Sequence, residues 1–236
     1  MRAHRVLLPG LLCDRSVWQP QIDALGPCHV ADYSQRDSLV AMASHVLATA
    51  PAGPLAVAGH SMGGRVAFEM WRLAPERIAR LALLDTSYHP LAEGDAGNAE
   101  IAQRMGLLGV ARRKGMRAMA RVWALGMVHL SRHGTPLFEA VLDMLERSTP
   151  DIFAAQINAL LKRPDCSELL ATIDCPTLLL CGREDGWSPP ARHEHMQRAI
   201  AGSRLVIVEQ CGHMSTMEQP DAVTQALADW LAWEHA

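Results

Sequence analysis

Residues 55–66 read LAVAGHSMGGRV: a short apolar run, a serine held between glycines, then a segment with helical character. The run 55–58 (LAVA) is apolar on both faces, as a strand covered on two sides is. The segment 63–73 reads as a helix that stops before Pro75. Between them, Gly59-His60-Ser61-Met62-Gly63 fits G-x-S-x-G, the pattern of a sharp strand-to-helix turn. Such a turn crowds the backbone, so side chains two residues either side of the serine would collide. Glycine at 59 and 63 removes the collision and leaves Ser61 as a candidate nucleophile at the end of a strand.

Working outward, β-rich runs recur at 5–8 (RVLL), 29–33 (HVADY), 78–84 (IARLALL), 177–181 (TLLLC) and 204–208 (RLVIV), with helical segments between them. Apolar strands alternating with helices imply the α/β class, a parallel sheet covered on both faces. A closing helix is expected over 221–233, directly after Pro220. Residues 89–172 carry apolar residues at helical spacing and no convincing strand, and the stretch is too long for a simple crossover. It reads as a helical cap inserted before the strand 177–181, over a core formed by 1–88 and 173–236. EGDAGN, residues 93–98, resembles a linker at the cap's entrance.

The chain has 236 residues, 49% of them hydrophobic, which suffices for one sizeable core. A formal net charge of −3 gives no general attraction to nucleic acid or to an anionic membrane. At the start, Pro9 and Gly10 interrupt the apolar run before a signal-peptide core is complete, and no stretch approaches the ~18 apolar residues of a membrane span. The expectation is a soluble, cytoplasmic protein. The six cysteines form no C-x-x-C pair and read as buried free thiols.

A serine hydroxyl is a weak nucleophile at neutral pH and needs a base in reach, with an acid to orient that base. Asp185 follows the strand 177–181 and His213 follows the strand 204–208, so both fall at the sheet edge where Ser61 stands. Glu184 and Asp85 are alternative acids, one beside Asp185 and the other at the end of the strand 78–84. The loop Pro9-Gly10-Leu11-Leu12 follows the first strand, and Gly10 lets it pass close to Ser61. That would set the Leu11 N–H opposite the Met62 N–H, as a pair of donors to an oxyanion.

PGLLCDRSVW, GHSMGG, GREDGWSPP and GHMSTMEQP together resemble the α/β-hydrolase superfamily, in its capped esterase-like branch, over nearly the whole chain. The resemblance implies a Ser61, Asp185, His213 triad with Leu11 and Met62 as the oxyanion hole. It implies about six parallel strands, the superfamily's usual first two being absent, with 29–33 at one edge. Pro9 stands where the superfamily commonly has histidine. Ester hydrolysis through an acyl-enzyme is the implied reaction, with no metal or organic cofactor. Carbon–carbon hydrolysis or elimination on a carboxylated substrate competes with it. Met214 and His60 weaken those readings, because tryptophan and tyrosine usually stand there in the branches concerned. A hydrolase-like ligand receptor is the alternative outside enzymes.

In the cap, Met116, Met119, Ala120, Trp123 and Met127 share one face of the segment 111–127, while Lys114, Arg117 and Arg121 gather beside it. That is either a core face next to a solvated one, or an acyl pocket next to cations that meet an acidic substrate or acyl carrier. Leu12, Arg65, Trp123, Met127, Trp187 and Met214 are the candidate substrate contacts. Arg65, one turn after Ser61, faces either the cleft or solvent. His129 and His133 lack the glutamate of a metal motif, and His193 and His195 read as solvated.

Overall fold

A computed structural model describes residues 3–233. Six strands form one sheet, β1 (His4–Leu8), β2 (His29–Val30), β3 (Leu55–His60), β4 (Ile78–Leu84), β5 (Thr177–Gly182) and β6 (Arg204–Val208). Their order is β2-β1-β3-β4-β5-β6, and every pairing is parallel. All six residues of β3 and all six of β5 are buried, because helices cover both faces of the central strands.

The helices of the first part are α1 (Gln19–Leu25), α2 (Leu39–Thr49) and α3 (Met62–Leu73). Between β4 and β5 come α4 (Gly94–Lys114), α5 (Met116–Trp123), α6 (Pro136–Glu146) and α7 (Pro150–Leu161). The chain closes with α8 (Pro190–Ala199), the short α9 (Ser215–Glu218) and α10 (Pro220–Ala232). Thr135 and Thr149 cap α6 and α7 with their side chains, each followed by a proline at the first helical position.

From β1 the chain crosses to β2 on one side and then to β3 on the other. The loops after β1 and β3 therefore diverge and open a crevice at the sheet's carboxyl edge, the usual ligand site of such sheets. It is there that Pro9–Leu12 faces Ser61.

Three expectations are corrected. The edge strand stops at Val30 rather than Tyr33, because Asp32 accepts the Ser34 N–H in a tight turn and Tyr33 folds inward to donate its hydroxyl to the Pro9 carbonyl. Residues 94–98 are not a linker but the first turn and more of α4, a helix of 21 residues. The segment 111–127 is not one helix: Gly115, at φ 89°, separates α4 from α5.

Candidate active site

The turn after β3 holds Ser61 at φ 55°, outside the region that side chains favour, at a cost of order 1–3 kcal/mol that the surrounding packing must offset. A Cβ on Gly59 would lie 2.4 Å from the Gly63 carbonyl oxygen, and one on Gly63 would lie 2.1 Å from the Leu8 oxygen. The two glycines are thus steric requirements of the turn. The Thr86 hydroxyl donates to the Ser61 carbonyl at 2.7 Å, and the Ser61 N–H donates to Leu84 at 2.8 Å, pinning the turn to the end of β4.

His213 Nε2 lies 2.8 Å from Ser61 Oγ, and its Nδ1 donates to Asp185 Oδ2 at 2.9 Å. The other Asp185 oxygen accepts the N–H groups of Trp187 at 2.8 Å and Ser188 at 2.9 Å. Burial opposes the charge on both partners. Their attraction outweighs it, so His213 is raised above the ordinary imidazole value and Asp185 held below the ordinary carboxylate value. Ser61, His213 and Asp185 therefore form a series in which the imidazole can take the serine proton and the carboxylate can stabilise the cation that results.

Of the alternative acids, Glu184 accepts the Cys211 N–H at 2.9 Å. Asp85 lies wholly buried, accepting the Gly182 N–H and hydrogen-bonded to Ser215 Oγ; burial, then the nearby Asp185 charge, raise its pKa strongly. Its 3.5 Å approach to His60 is not an ion pair, because burial holds His60 down to about 3 and neutral. His60 Nε2 instead donates to the His213 carbonyl at 2.8 Å.

Sequence reasoning missed the brace behind His213. Glu218 accepts the N–H groups of His129, Gly212 and Met214 at 2.7, 3.1 and 3.0 Å, and the His213 N–H donates to the Met127 carbonyl at 2.6 Å. A lone glutamate five residues after His213 gives no motif from which this could be read.

A cavity of about 750 Å³ opens over Ser61 and His213, lined by Leu11 and Met62 beside the serine and by residues of α4, α5 and α7 above it. Gly10 passes so close that a Cβ there would lie 3.2 Å from Ser61 Cβ. Arg65, Trp123, Met127 and Trp187 line the cavity; Trp123 and Trp187 stack with centroids 5.6 Å apart, and Trp187 leans on His213 at 4.8 Å.

Two candidate contacts do not belong there. Leu12 is buried away from the cavity while its N–H donates to Gln156 Oε1, and Met214 is fully buried at the start of α9. The cavity also takes in Phe153 and Leu160 of α7, together with Glu100, Arg104, Arg163 and Arg192. Only the i, i+4 spacing of Glu100 and Arg104 was a signal for that set.

The cations of the segment 111–127 are placed differently from the sharper of the two expectations. Arg117 is held by Glu139, Asp143 and Glu146 of α6 at 2.6 to 2.7 Å, and Arg121 lies 3.7 Å from Glu139; neither lines the cavity. His193 is buried rather than solvated, kept neutral by burial with a pKa down at about 4, and it accepts the Thr86 N–H. His129 and His133 engage Ser131 and the Leu125 carbonyl, and no metal-ligand cluster occurs among the described residues. All six cysteines are free thiols, four of them buried.

The model of the alpha/beta hydrolase family matches residues 6–226. The chain belongs to this family. Among curated relatives of this alpha/beta hydrolase, a pimeloyl-[acyl-carrier protein] methyl ester esterase of Neisseria meningitidis (strain H44/76) is 25% identical over 193 residues, 81% of this chain and 74% of the relative. A 2-hydroxy-6-oxononadienedioate/2-hydroxy-6-oxononatrienedioate hydrolase of Escherichia coli (strain E24377A) is 30% identical over 74% of this chain but only 61% of the relative. The malate-bound structure of a thermophilic esterase from Thermogutta terrifontis superposes with a TM-score of 0.84 at 30% identity, covering 98% of this chain and 89% of that one. No helix among the described residues is long and apolar enough to cross a membrane.

Proposed function

We propose that this alpha/beta hydrolase cleaves carboxylic esters of small or medium, largely apolar acyl groups through an acyl-enzyme on Ser61. The observation that carries the reading is the unbroken hydrogen-bonded series from Ser61 through His213 to Asp185 at the floor of the cavity.

Ser61 Oγ attacks the ester carbonyl while His213 Nε2 takes its proton, and Asp185 stabilises the imidazolium. The N–H groups of Leu11 and Met62 hold the oxygen on which negative charge develops; each such donor is worth ~3 kcal/mol of barrier lowering. His213 then gives the proton to the departing alcohol, leaving acyl-Ser61. A water molecule, deprotonated by His213, releases the acid. This sequence requires no metal or organic cofactor. Residues 89–172 act as a cap, and the stacked Trp123 and Trp187, with Met127 and Phe153, give the acyl chain an apolar wall.

The experiment is turnover of p-nitrophenyl butyrate by the full chain, with Ser61→Ala as control and stoichiometric labelling of Ser61 by a sulfonyl fluoride. Sustained turnover that vanishes in the variant supports the reading. Tight binding without turnover makes the protein a receptor and overturns it. A second reading, carbon–carbon hydrolysis with the same residues, is favoured by the 30% identical relative that acts on a dienedioate. Cleavage of such a diketo-acid faster than of any ester would decide for it. An acyl-carrier partner has the name of the Neisseria relative in its support; Arg117, already held by α6, offers it no free cation.

A further inference from the structure

The loop after β1 is tied down from several sides, and one of those ties reaches its strained residue. Gly10–Cys13 is a tight turn in which the Cys13 N–H donates to the Gly10 carbonyl at 3.1 Å. Leu12, the third residue of the turn, stands at φ 60°. A side chain crowds its own carbonyl there, so turns of this kind favour glycine or asparagine at that position. A bulky residue keeps such a conformation only where its surroundings hold it. The relaxed alternative is reached by rotating the peptide between Leu11 and Leu12 until Leu12 returns to negative φ.

That rotation would carry the Leu12 N–H away from its present partner. The partner is Gln156 Oε1, 2.8 Å away and 144 residues further along the chain, on α7. Both residues are buried, so breaking this bond leaves a donor and an acceptor without water to replace it. The buried face of α7 is otherwise apolar, made of Phe153, Ile157, Ala159 and Leu160. An amide in such a face is costly unless hydrogen-bonded, and among the described residues the bond to Leu12 is the one that the Gln156 side chain makes. The other ties of the loop act elsewhere. Ahead of the turn the Tyr33 hydroxyl donates to the Pro9 carbonyl at 3.2 Å. Behind it Arg147 reaches Asp14 and Ser16 at 2.7 and 2.9 Å, but the ion pair is about half-exposed, where such pairs hold weakly.

We propose that Gln156 is a positioning residue for the oxyanion hole: it holds Leu12 in its strained turn and so keeps the Leu11 N–H aimed at the reacting oxygen. The proposal rests on the ester-hydrolase reading and adds a residue of the cap to it. Both N–H groups given to the oxyanion adjoin a residue at positive φ, since Met62 follows Ser61 and Leu11 precedes Leu12. The Ser61 turn is pinned to the end of β4 through Thr86 and Leu84, whereas the Leu12 turn is pinned to a cap helix. An oxyanion donor is effective only at about 2.7–3.1 Å, so rotation of the peptide that Leu11 shares with Leu12 takes it out of range. Phe153 and Leu160 of the same helix line the cavity, so α7 fixes the acyl wall and this donor together.

The test is turnover of p-nitrophenyl butyrate by the full chain, beside the affinity of butyl trifluoromethyl ketone. Ser61 Oγ adds to the carbonyl carbon of that ketone, the serine proton passes to His213, and the ketone oxygen becomes the oxyanion, so the adduct reports on the hole. Gln156→Met keeps the side-chain length and loses the acceptor. It is expected to lower kcat by about 10- to 100-fold with KM within roughly threefold, and to weaken the ketone by a similar factor. Gln156→Glu retains an acceptor oxygen and is expected to stay within roughly fivefold of the native protein on both measures. Thr149→Ala removes the side-chain cap of α7 without touching the loop; it should lower the unfolding midpoint and leave kcat and ketone affinity as they were.

A Gln156→Met kcat within threefold of native, a loss carried by KM instead, or a ketone affinity that does not follow kcat overturns the proposal and leaves the hydrolase reading standing. Gln156→Glu as slow as Gln156→Met overturns it too. If circular dichroism shows Gln156→Met unfolded, Gln156→Asn, one methylene too short to reach Leu12, replaces it. If neither folds, Gln156 serves the core and the proposal falls. If the native protein turns over no ester, the hydrolase reading fails and the ketone decides alone. Affinity that drops tenfold or more in Gln156→Met then supports the proposal, and unchanged affinity or no adduct overturns it.

Discussion

The two ends of one cavity are built on opposite terms. At the Ser61 end every charge is answered: the Asp185 carboxylate accepts His213 Nδ1 and two backbone N–H groups, and Glu218 accepts three more behind the histidine. At the Arg65 end three guanidinium groups share one carboxylate, and Arg65 itself has none. Reacting groups must be held in place before the substrate arrives, because any reorganisation adds to the barrier. On the proposed reading, the complete end is where the chemistry is done.

The largest expected effect tests the complete end. Ser61→Ala is expected to lower kcat on p-nitrophenyl butyrate by about 10⁴-fold or more, since members of such a series fail as a unit. A loss below tenfold would show that another group attacks the ester. Asp185→Asn comes next, with kcat down by about 10²- to 10⁴-fold. It carries a pH signature as well. In the native protein the Asp185 charge raises His213, so kcat/KM is lost on acidification through a value above the ordinary imidazole pKa. Removing the negative charge favours neutral imidazole and moves that inflection to lower pH. An unmoved inflection would mean that Asp185 does not govern His213.

Glu218→Gln probes the brace. An amide has one acceptor oxygen where the carboxylate serves three N–H groups with two, so at least one buried donor loses its partner, at ~1–3 kcal/mol. Thermal denaturation should show the lower stability, and kcat should fall by about tenfold as His213 loses its fixed position. The smallest effect separates the two ends most cleanly. Arg65→Met removes a buried charge that lacks a counter-ion, so the midpoint of thermal unfolding should hold or rise by roughly 2–4 °C, about 1 kcal/mol for a chain of this size. Arg163→Met strips Glu100 of its bidentate partner and should lower the midpoint. Equal destabilisation by the two would erase the contrast on which the comparison stands.

Much of the complete end is legible in the sequence because its residues are tied to strand ends. Ser61 is fixed by glycines at a turn, and Asp185 and His213 each follow an apolar run by a few residues, so their order along the chain predicts where they meet. The edge strand was misread because HVADY has strand composition, while the Asp32 turn and the inward Tyr33 hydroxyl that end it at Val30 are tertiary choices. At Arg117 the sequence leaves two readings open for a related reason. Helical spacing shows which residues share a face but not what that face meets, and α6 meets this one with three carboxylates.

The sequence by itself determined the parallel sheet, the strained serine turn and the sheet edge to which His213 and the candidate acids Asp185, Glu184 and Asp85 belong, because local backbone geometry and hydrophobic period dictate them; that Asp185 is the acid paired with His213 is a fact of the folded chain. Only the tertiary structure decided that Arg65 faces the cavity and that Arg104, Arg163 and Glu100 join it there. Glu100, Arg104 and Arg163 lie 35, 39 and 98 residues from Arg65, and apart from the i, i+4 spacing of Glu100 and Arg104 no local rule links them. The balance of charge within a cavity is a property of the packed fold, where burial makes each ion's partners count, and it has no counterpart in the chain before folding.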